Sequence, residues 1–215
     1  MEGERVQLLY SSGIIILLLF IWFFWRVLSR NISIPCPSWL YWAVELENPL
    51  ARGSQSKSII SGLNAEEGMT VLDIGCGPGR VSIPLARIVG EQGAIIAVDI
   101  QQEMLDIVKR KAAKENIQNI TIVNVPMGAG KLIGFQADRA VLAAVLGEIP
   151  NRTVALREIY DSLKPGGILA ISETMFDPHY QSKQTILELV KSMGFTQVGF
   201  IGNKLAYTIY LKKDN

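Results

Sequence analysis

Histidine and cysteine are scarce in this chain of 215 residues, which has one histidine, His179, and two cysteines, Cys36 and Cys76. A metal site built on several histidines is therefore excluded, and we expect no bound metal. Two cysteines cannot form the disulfide framework of a small secreted domain. We expect both to be free thiols in a reducing compartment.

An excess of charge of either sign is also missing. The chain has 21 basic and 20 acidic residues, a net charge of +1. This balance provides no broad basic surface, so we expect no nucleic-acid partner. Charged residues make up 19% of the chain and hydrophobic residues 49%, which are low and high values for a soluble domain.

The apolar excess is concentrated near the N-terminus, where residues 6–25 read VQLLYSSGIIILLLFIWFFW without a charge. Twenty helical residues span about 30 Å, the thickness of a bilayer's hydrocarbon core. The stretch therefore predicts a transmembrane helix that contacts the membrane through residues 6–25. A cleaved signal peptide and a buried core helix are the alternatives. Arg26 directly after the stretch, and bulky Trp22 and Trp25 in place of small residues, favour an uncleaved anchor.

Basic residues on the two sides of this stretch predict its orientation. Arg26 and Arg30 follow it, whereas Arg5 alone precedes it. By the positive-inside rule, the chain is a single-pass membrane protein whose C-terminal domain faces the cytoplasm.

The following segment joins this anchor to the rest of the chain. Pro35 and Pro37 interrupt any continuing helix. Trp39 and Trp42 then belong to a short pattern of helical spacing, which suits a helix lying on the membrane and equally suits a helix packed on the domain. The predicted organisation is an anchor over residues 1–30, a Pro- and Trp-rich interfacial linker over 31–53 and a domain over 54–215.

Strands and helices alternate through the domain. Strands are predicted over 70–74, 94–98, 120–123, 140–146, 168–171, 196–201 and 206–211. Helices are predicted over 54–63, 81–89, 102–114, 152–163 and 182–193. Alternation favours a parallel sheet covered on both faces, and the tight connection at Gly202 and Asn203 favours a final hairpin. The expected fold is Rossmann-like α/β: a seven-stranded, mostly parallel sheet with a C-terminal antiparallel hairpin, plus one N-terminal transmembrane helix.

A glycine-rich turn follows the first strand in VLDIGCGPGR, residues 71–80. Gly75, Gly77 and Gly79 allow positive φ angles and close approach of a ligand to the backbone. Asp99 ends the second strand and can accept hydrogen bonds from ribose hydroxyls. The glycine spacing differs from the G-x-G-x-x-G of dinucleotide-binding proteins, which disfavours an oxidoreductase. Asp73, just before the turn, suits an ammonium group better than a pyrophosphate.

These motifs, VLDIGCGPG, then VDI and then LKPGG, resemble those of the class I S-adenosylmethionine-dependent methyltransferases, over roughly residues 53–213. The resemblance, with a general likeness to quinone-biosynthesis enzymes, implies S-adenosylmethionine as cofactor. It implies that the three glycines hold the methionine and ribose moieties, that Asp73 assists the amino end and that Asp99 binds the ribose. Cys76 lies within the binding turn, and Ile100 packs on the adenine.

One position departs from that family's pattern. Many relatives have an aspartate after the third strand for the adenine amino group, whereas this chain has Met127, Gly128 and Ala129 there. Met127 and Gly128 are therefore the candidates for adenine contacts, through backbone groups.

Two side chains are candidates for catalysis. Glu148 follows the fourth strand and can orient or deprotonate a nucleophile, with a structural carboxylate as the alternative. His179 follows the fifth strand and can act as a base, with a surface or capping role as the alternative. Glu173 and Tyr180 are expected at the mouth of the acceptor site.

Several functions are compatible with these features. The leading hypothesis is a membrane-anchored methyltransferase acting on a small lipophilic molecule: a quinone, isoprenoid, phospholipid head group or thiol. The alternatives are a methyltransferase acting on a protein and a membrane-tethered, non-catalytic binding module.

Overall fold

The computed structural model describes residues 36–132 and 134–214, together with Gln7, Tyr10, Val27 and residues 12–14, 16–17, 20–21 and 23–24. The predicted transmembrane helix therefore falls partly outside the described residues. Those described within it are helical and exposed. Within the described part of the chain, no helix combines the length and the apolar character needed to cross a membrane.

The domain is organised by one sheet of seven strands: β1 (Thr70–Ile74), β2 (Ala94–Asp99), β3 (Ile120–Asn124), β4 (Ala137–Ala143), β5 (Leu163–Thr174), β6 (Phe195–Gly202) and β7 (Ala206–Lys213). Their order is β3-β2-β1-β4-β5-β7-β6. Strands β1 to β5 pair in parallel, whereas β7 is antiparallel to both β5 and β6. The fold is therefore Rossmann-like α/β with a mixed sheet, and the predicted C-terminal hairpin is confirmed.

A short helix, α1 (Tyr41–Glu45), precedes the domain and has no buried residue. Longer helices cover both faces of this sheet: α2 (Ser56–Leu63), α3 (Ser82–Val89), α4 (Gln102–Lys114), α5 (Arg152–Ser162) and α6 (Lys183–Val190). In β1, Leu72 and Ile74 pack into the same core as α5 and α6, whereas Val71 packs with α2 and α3. Both faces are buried because parallel strands are joined by crossover helices. The chain reverses direction across the sheet between β1 and β4, which places a ligand crevice at the carboxyl ends of these strands.

Two strands differ from the prediction by three or more residues at each end. Strand β4 covers Ala137–Ala143 rather than 140–146, because Ala144 has φ of 58° and a 3₁₀ turn, Leu146–Glu148, follows. Strand β5 is longer than predicted, although its pairing with β4 is irregular between Leu163 and Ile168. Pro165 has no N–H to donate, and Gly166 has φ of 73°, so the ladder is interrupted there.

The linker forms several short helical turns rather than a single interfacial helix. It contains a 3₁₀ turn, Ser38–Leu40, the five-residue helix α1, and a second 3₁₀ turn, Arg52–Ser54. Trp39 and Trp42 are 71% and 54% exposed. The linker therefore leaves both indole rings accessible rather than packing them on the domain.

Candidate functional site

The glycine turn after β1 is held against β2 and against the loop after β4. Gly75, Gly77 and Gly79 have φ of 64°, 51° and 84°, in the left-handed region that favours glycine. The N–H of Gly75 donates to the carbonyl of Val98 at 2.8 Å. A Cβ on Gly75 would lie 2.3 Å from Cγ2 of Val145. Close packing and the backbone angle both require glycine at this position.

Asp73 lies beneath the turn and is 1% exposed. Its carboxylate accepts a hydrogen bond from the hydroxyl of Ser82, the first residue of α3. Burial raises the pKa of Asp73 to about 6, against this hydrogen bond and the charge of Arg80. Asp73 therefore fastens the start of α3 to the end of β1, and its contact with the cofactor's amino end stays a prediction.

Asp99 is at the carboxyl end of β2 and is 8% exposed. Its Oδ2 accepts from the N–H of Gly77 at 2.9 Å, and its Oδ1 accepts from the N–H of Gln101 at 2.8 Å. A carboxylate has about four acceptor positions, so capacity remains for two ligand hydroxyls. Burial raises the pKa of Asp99, opposed by these backbone hydrogen bonds. Ile100 beside it is 57% exposed, which leaves its side chain accessible to a ring.

Asn124, which the sequence did not single out, fixes this strand end. It ends the neighbouring strand β3, and its amide nitrogen donates to the carbonyls of Asp99 and Ile100 at 3.0 Å. The available signal was a polar residue at the carboxyl end of a strand expected beside β2. The structure thus orients Asp99 from three elements.

The backbone N–H of Gly128, in the loop predicted to contact adenine, already has a hydrogen-bond partner. The N–H of Gly128 donates to Oε2 of Glu158 on α5 at 2.7 Å. Met127 packs partly buried against the core that includes α5. The N–H of Gly128 is therefore not available as a donor to adenine, because it is bonded to Glu158. The contact of Met127 and Gly128 with adenine remains a prediction.

Glu148 and His179 are brought together at the carboxyl edge of β4 and β5. Nδ1 of His179 lies 3.9 Å from Oε1 of Glu148 and 3.7 Å from Oδ1 of Asp177. His179 is 7% exposed, so the surface role considered for it is wrong. Neither ring nitrogen has a hydrogen-bond partner among residues 36–132 and 134–214. Asp177 is the member of this cluster that the sequence did not identify.

The pKa of Glu148 is raised to about 8, mainly by burial and in addition by the charges of Asp177 and Asp99. The backbone N–H of Cys36 donates to the Glu148 carboxylate and opposes the shift. At neutral pH this carboxyl is therefore largely protonated in the absence of a ligand. A nearby positive charge would favour its ionised, basic form.

The sequence predicted Glu173 at the mouth of the acceptor site, but the structure buries this residue inside the fold. It is 1% exposed because β5 continues to Thr174 and pairs Glu173 with Tyr207 of β7. Its Oε2 accepts from the N–H of Gln181 at 3.0 Å. Burial raises the pKa of Glu173 well above its ordinary value. Tyr180 is half-buried and donates its hydroxyl to the carbonyl of Lys204 at 3.2 Å.

The two cysteines are free thiols, and burial is the main cause that raises the pKa of each. Cys76 is 6% exposed within the glycine turn, so its thiol is not an accessible nucleophile. In the described part of the chain, no group of three or more His, Cys, Asp or Glu side chains is arranged to hold a metal ion.

The assembled site suits a ligand that carries a diol and a positive charge. Asp99 offers acceptors for vicinal hydroxyls beside a turn whose backbone is free of side chains. Asp73, Asp99 and Glu148 lie near enough for Asp99 to raise the pKa of both others. A sulfonium or ammonium group would relieve that repulsion. S-adenosylmethionine has these features, so the residues present fit it.

Comparison with known proteins agrees with this site. Residues 65–212 match a family model described as a methyltransferase domain. Demethylmenaquinone methyltransferase from Staphylococcus epidermidis is 31% identical over 121 residues, 55% of this chain and 48% of the relative. The same-named protein from Lactobacillus johnsonii is 30% identical over 136 residues, 60% of this chain and 55% of the relative. The chain thus spans about half the length of the curated relatives it matches.

Solved structures share the fold. A SAM-dependent methyltransferase from Aquifex aeolicus superposes with a TM-score of 0.71 at 19% identity, covering 83% of this chain and 99% of that one. A SAM-dependent O-methyltransferase from Thermotoga maritima gives 0.64 at 19% identity, with 85% and 72% covered. At such identities the likeness establishes the fold alone.

Proposed function

The chain belongs to the methyltransferase domain family, and from that premise we propose that it transfers a methyl group to a small lipophilic acceptor at a membrane. Family and fold together assign S-adenosylmethionine as the cofactor. When bound, it supplies an electrophilic methyl group on a sulfonium sulfur. The residues suited to hold it are Asp99, the glycine turn and Asp73.

The observation that carries the catalytic proposal is the placement of Glu148 and His179 beside this cofactor site. Asp99 lies near enough to raise the pKa of Glu148, and His179 is within 3.9 Å of the Glu148 carboxylate. Binding of a cation in the crevice favours ionised Glu148, which can then take a proton from an acceptor hydroxyl or thiol. His179 is placed to accept that proton in turn. The surrounding protein excludes water and orients the attack.

The acceptor class is proposed from two independent features. The curated relatives are named for demethylmenaquinone, a lipophilic quinone. The described residues of the N-terminal stretch are exposed and mostly apolar, for example Phe20 at 64% and Phe23 at 59%. Together these favour a quinone-like acceptor, preferred here over an isoprenoid, a phospholipid head group or a thiol.

Membrane anchoring is proposed from the sequence. Residues 6–25 are uncharged and long enough to span a bilayer as a helix. Arg26 and Arg30 favour a domain on the cytoplasmic side, where the cofactor is synthesised and the thiols stay reduced. Trp39 and Trp42 are exposed and suit the lipid interface.

The test is methyl transfer by the full-length chain in lipid nanodiscs. We expect label from methyl-labelled S-adenosylmethionine to enter the organic phase when a reduced, demethylated quinone is supplied, and much less so with Glu148→Gln. Label in a protein band instead would favour a protein substrate. Cofactor binding without transfer to any lipid extract would contradict the proposal and favour a binding module.

A further inference from the structure

Residues 36–50, called here the strap, cross the carboxyl edge of the sheet without entering the core. No residue of the strap is buried. Its outward side chains include Trp39, Trp42 and Leu50, at 71%, 54% and 72% exposed. Because no apolar side chain of the strap is fully buried, polar contacts contribute much of what holds the strap to the domain.

One end of the strap joins the two sides of the crevice. The carbonyl of Cys36 accepts a hydrogen bond from the side-chain amide of Gln101 at 2.9 Å. The backbone N–H of Gln101 donates to Asp99, the residue assigned to the ribose. The N–H of Cys36 donates to Glu148 on the acceptor side. Cys36 therefore contacts Glu148 directly and is linked to Asp99 through Gln101.

The other end lies on the glycine turn. Cγ1 of Val44 is 3.9 Å from where a Cβ on Gly77 would lie. Nζ of Lys111, on α4, donates to the carbonyl of Pro78 at 2.9 Å and forms an ion pair with Glu45. Lys111 thus connects the strap directly to the turn.

A second ion pair holds the strap at the end of the turn. Arg80 lies 3.8 Å from Glu47, and the Arg80 side chain is only 18% exposed. Its guanidinium also donates to the carbonyl of Ser54 at 3.1 Å. Glu47 in addition accepts from the N–H of Ser56 at 2.8 Å. Both acidic residues of the pairs come from the strap and both basic partners from the domain.

We propose that the strap is the outer wall of the cofactor site, held shut by the pairs Glu45–Lys111 and Glu47–Arg80 and opened for cofactor exchange. The proposal rests on the cofactor assignment made above. Ion pairs that are partly exposed are individually weak, so a wall held this way opens readily. Glu45 and Glu47 are accordingly positioning residues, and they are not catalytic.

Exchange kinetics of S-adenosylhomocysteine test the strap without an acceptor. In the full-length chain in detergent micelles, we expect the variant Glu45→Lys, Glu47→Lys to release the ligand about five- to tenfold faster than the parent. The charge-exchanged variant Glu45→Lys, Lys111→Glu should release it more slowly than Glu45→Lys alone. Asp106→Lys is the matched control, since Asp106 pairs with Lys109 on the exposed face of α4.

Tryptophan fluorescence gives a second readout of the strap alone. The four tryptophans are at positions 22, 25, 39 and 42, so Trp22→Phe, Trp25→Phe leaves only the two on the strap. We expect the ligand to lower acrylamide quenching of Trp39 and Trp42, and Glu45→Lys with Glu47→Lys to reverse that protection.

Each possible failure has a distinct meaning. If the variant Glu45→Lys, Glu47→Lys binds the ligand but releases it as slowly as Asp106→Lys does, the strap proposal is overturned and the cofactor assignment stands. Failure of the charge-exchanged variant to slow release would also overturn it. No binding by the folded parent chain would overturn the cofactor assignment itself and the strap with it. Absence of methyl transfer to any acceptor would not alter either kinetic result.

Discussion

Asp99 shows how a single side chain has its role set by neighbours from several elements. Its carboxylate is oriented by the N–H groups of Gly77 and Gln101, while Asn124 fixes the carbonyl of the same residue. The strand end is thereby rigid before a ligand arrives. A preorganised acceptor loses little conformational freedom on binding, so its contribution to affinity is large for one residue.

We expect Asp99→Asn to bind S-adenosylhomocysteine at least about tenfold more weakly, about 1.4 kcal/mol, because an amide offers fewer acceptor positions and no charge. Titration calorimetry on the full-length chain measures this. Asp106→Asn, at an exposed aspartate of α4, is the control and should bind as the parent does. Equal affinity in Asp99→Asn would refute the ribose assignment.

Glu148 is shifted further in pKa, since burial and neighbouring carboxylates together favour its protonated form. Its pKa is about 8, with Asp177 and Asp99 raising it and the N–H of Cys36 opposing them. Nδ1 of His179 lies 3.9 Å from Oε1 of Glu148. For the parent chain we expect kcat/KM for methyl transfer to rise with pH through an apparent pKa at or below about 8. Glu148→Gln should lower the rate and lose this rise, and an unchanged profile would exclude Glu148 as the base.

The same shift has a consequence for stability. In the unfolded chain the Glu148 carboxyl loses its proton near its ordinary pKa of 4.5, whereas in the folded chain it keeps the proton up to about 8. Folding therefore becomes less favourable as pH rises between these values and changes no further above them. We expect Glu148→Gln to raise the free energy of unfolding relative to the parent at pH 8, on the order of 1 kcal/mol, and not at pH 4. Urea unfolding at the two pH values measures the difference.

At the scale of elements, the glycines on the two sides of β1 show that positions which look alike in sequence differ in how strictly they require glycine. Gly68 and Gly75 both have positive φ, of 81° and 64°. A Cβ on Gly68 would meet nothing within 4 Å, whereas one on Gly75 would meet Val145 at 2.3 Å. The first position is restricted by backbone angle only, and the second also by the loop after β4.

We therefore expect Gly68→Ala to lower the free energy of unfolding by about 1 kcal/mol, the cost of a left-handed alanine. Gly75→Ala should cost roughly 3 kcal/mol or more, because Val145 must also move. Chemical denaturation compares the pair, and calorimetry should show cofactor binding lost in Gly75→Ala alone. Similar stability losses in both variants would contradict the packing described here.

For the whole molecule, one continuous sheet links the cofactor turn to the C-terminal hairpin. Such a domain should melt in one transition, and a ligand that binds only the folded state shifts that transition by mass action. S-adenosylhomocysteine at 100 times its Kd should add about 2.7 kcal/mol. For this size of domain we expect a Tm increase of roughly 5–10 °C. Differential scanning calorimetry measures it, and Asp99→Asn at the same ligand concentration should show a smaller increase.

The sequence alone determined the order and type of the main strands and helices, and it predicted a cofactor site at the glycine turn and Asp99. Helix and strand periodicity, and the glycines and prolines that end elements, are local properties that a short window contains. The glycine turn and Asp99 were found because both follow an apolar strand directly. The extents of β4 and β5 were less well predicted, because the positive φ of Ala144 ends β4 and the ladder between β4 and β5 is irregular around Gly166.

The tertiary structure alone decided which distant side chains meet. Glu148 follows β4, whereas Asp177 and His179 follow β5, and the three form one cluster only because β4 and β5 are neighbours in the sheet. The burial of Glu173 likewise depends on β7 lying beside β5. The strap contacts the glycine turn because tertiary folding brings these two segments, which are separated in the sequence, next to each other. Strand order and loop packing are set by the free energy of the whole core, which no local pattern records.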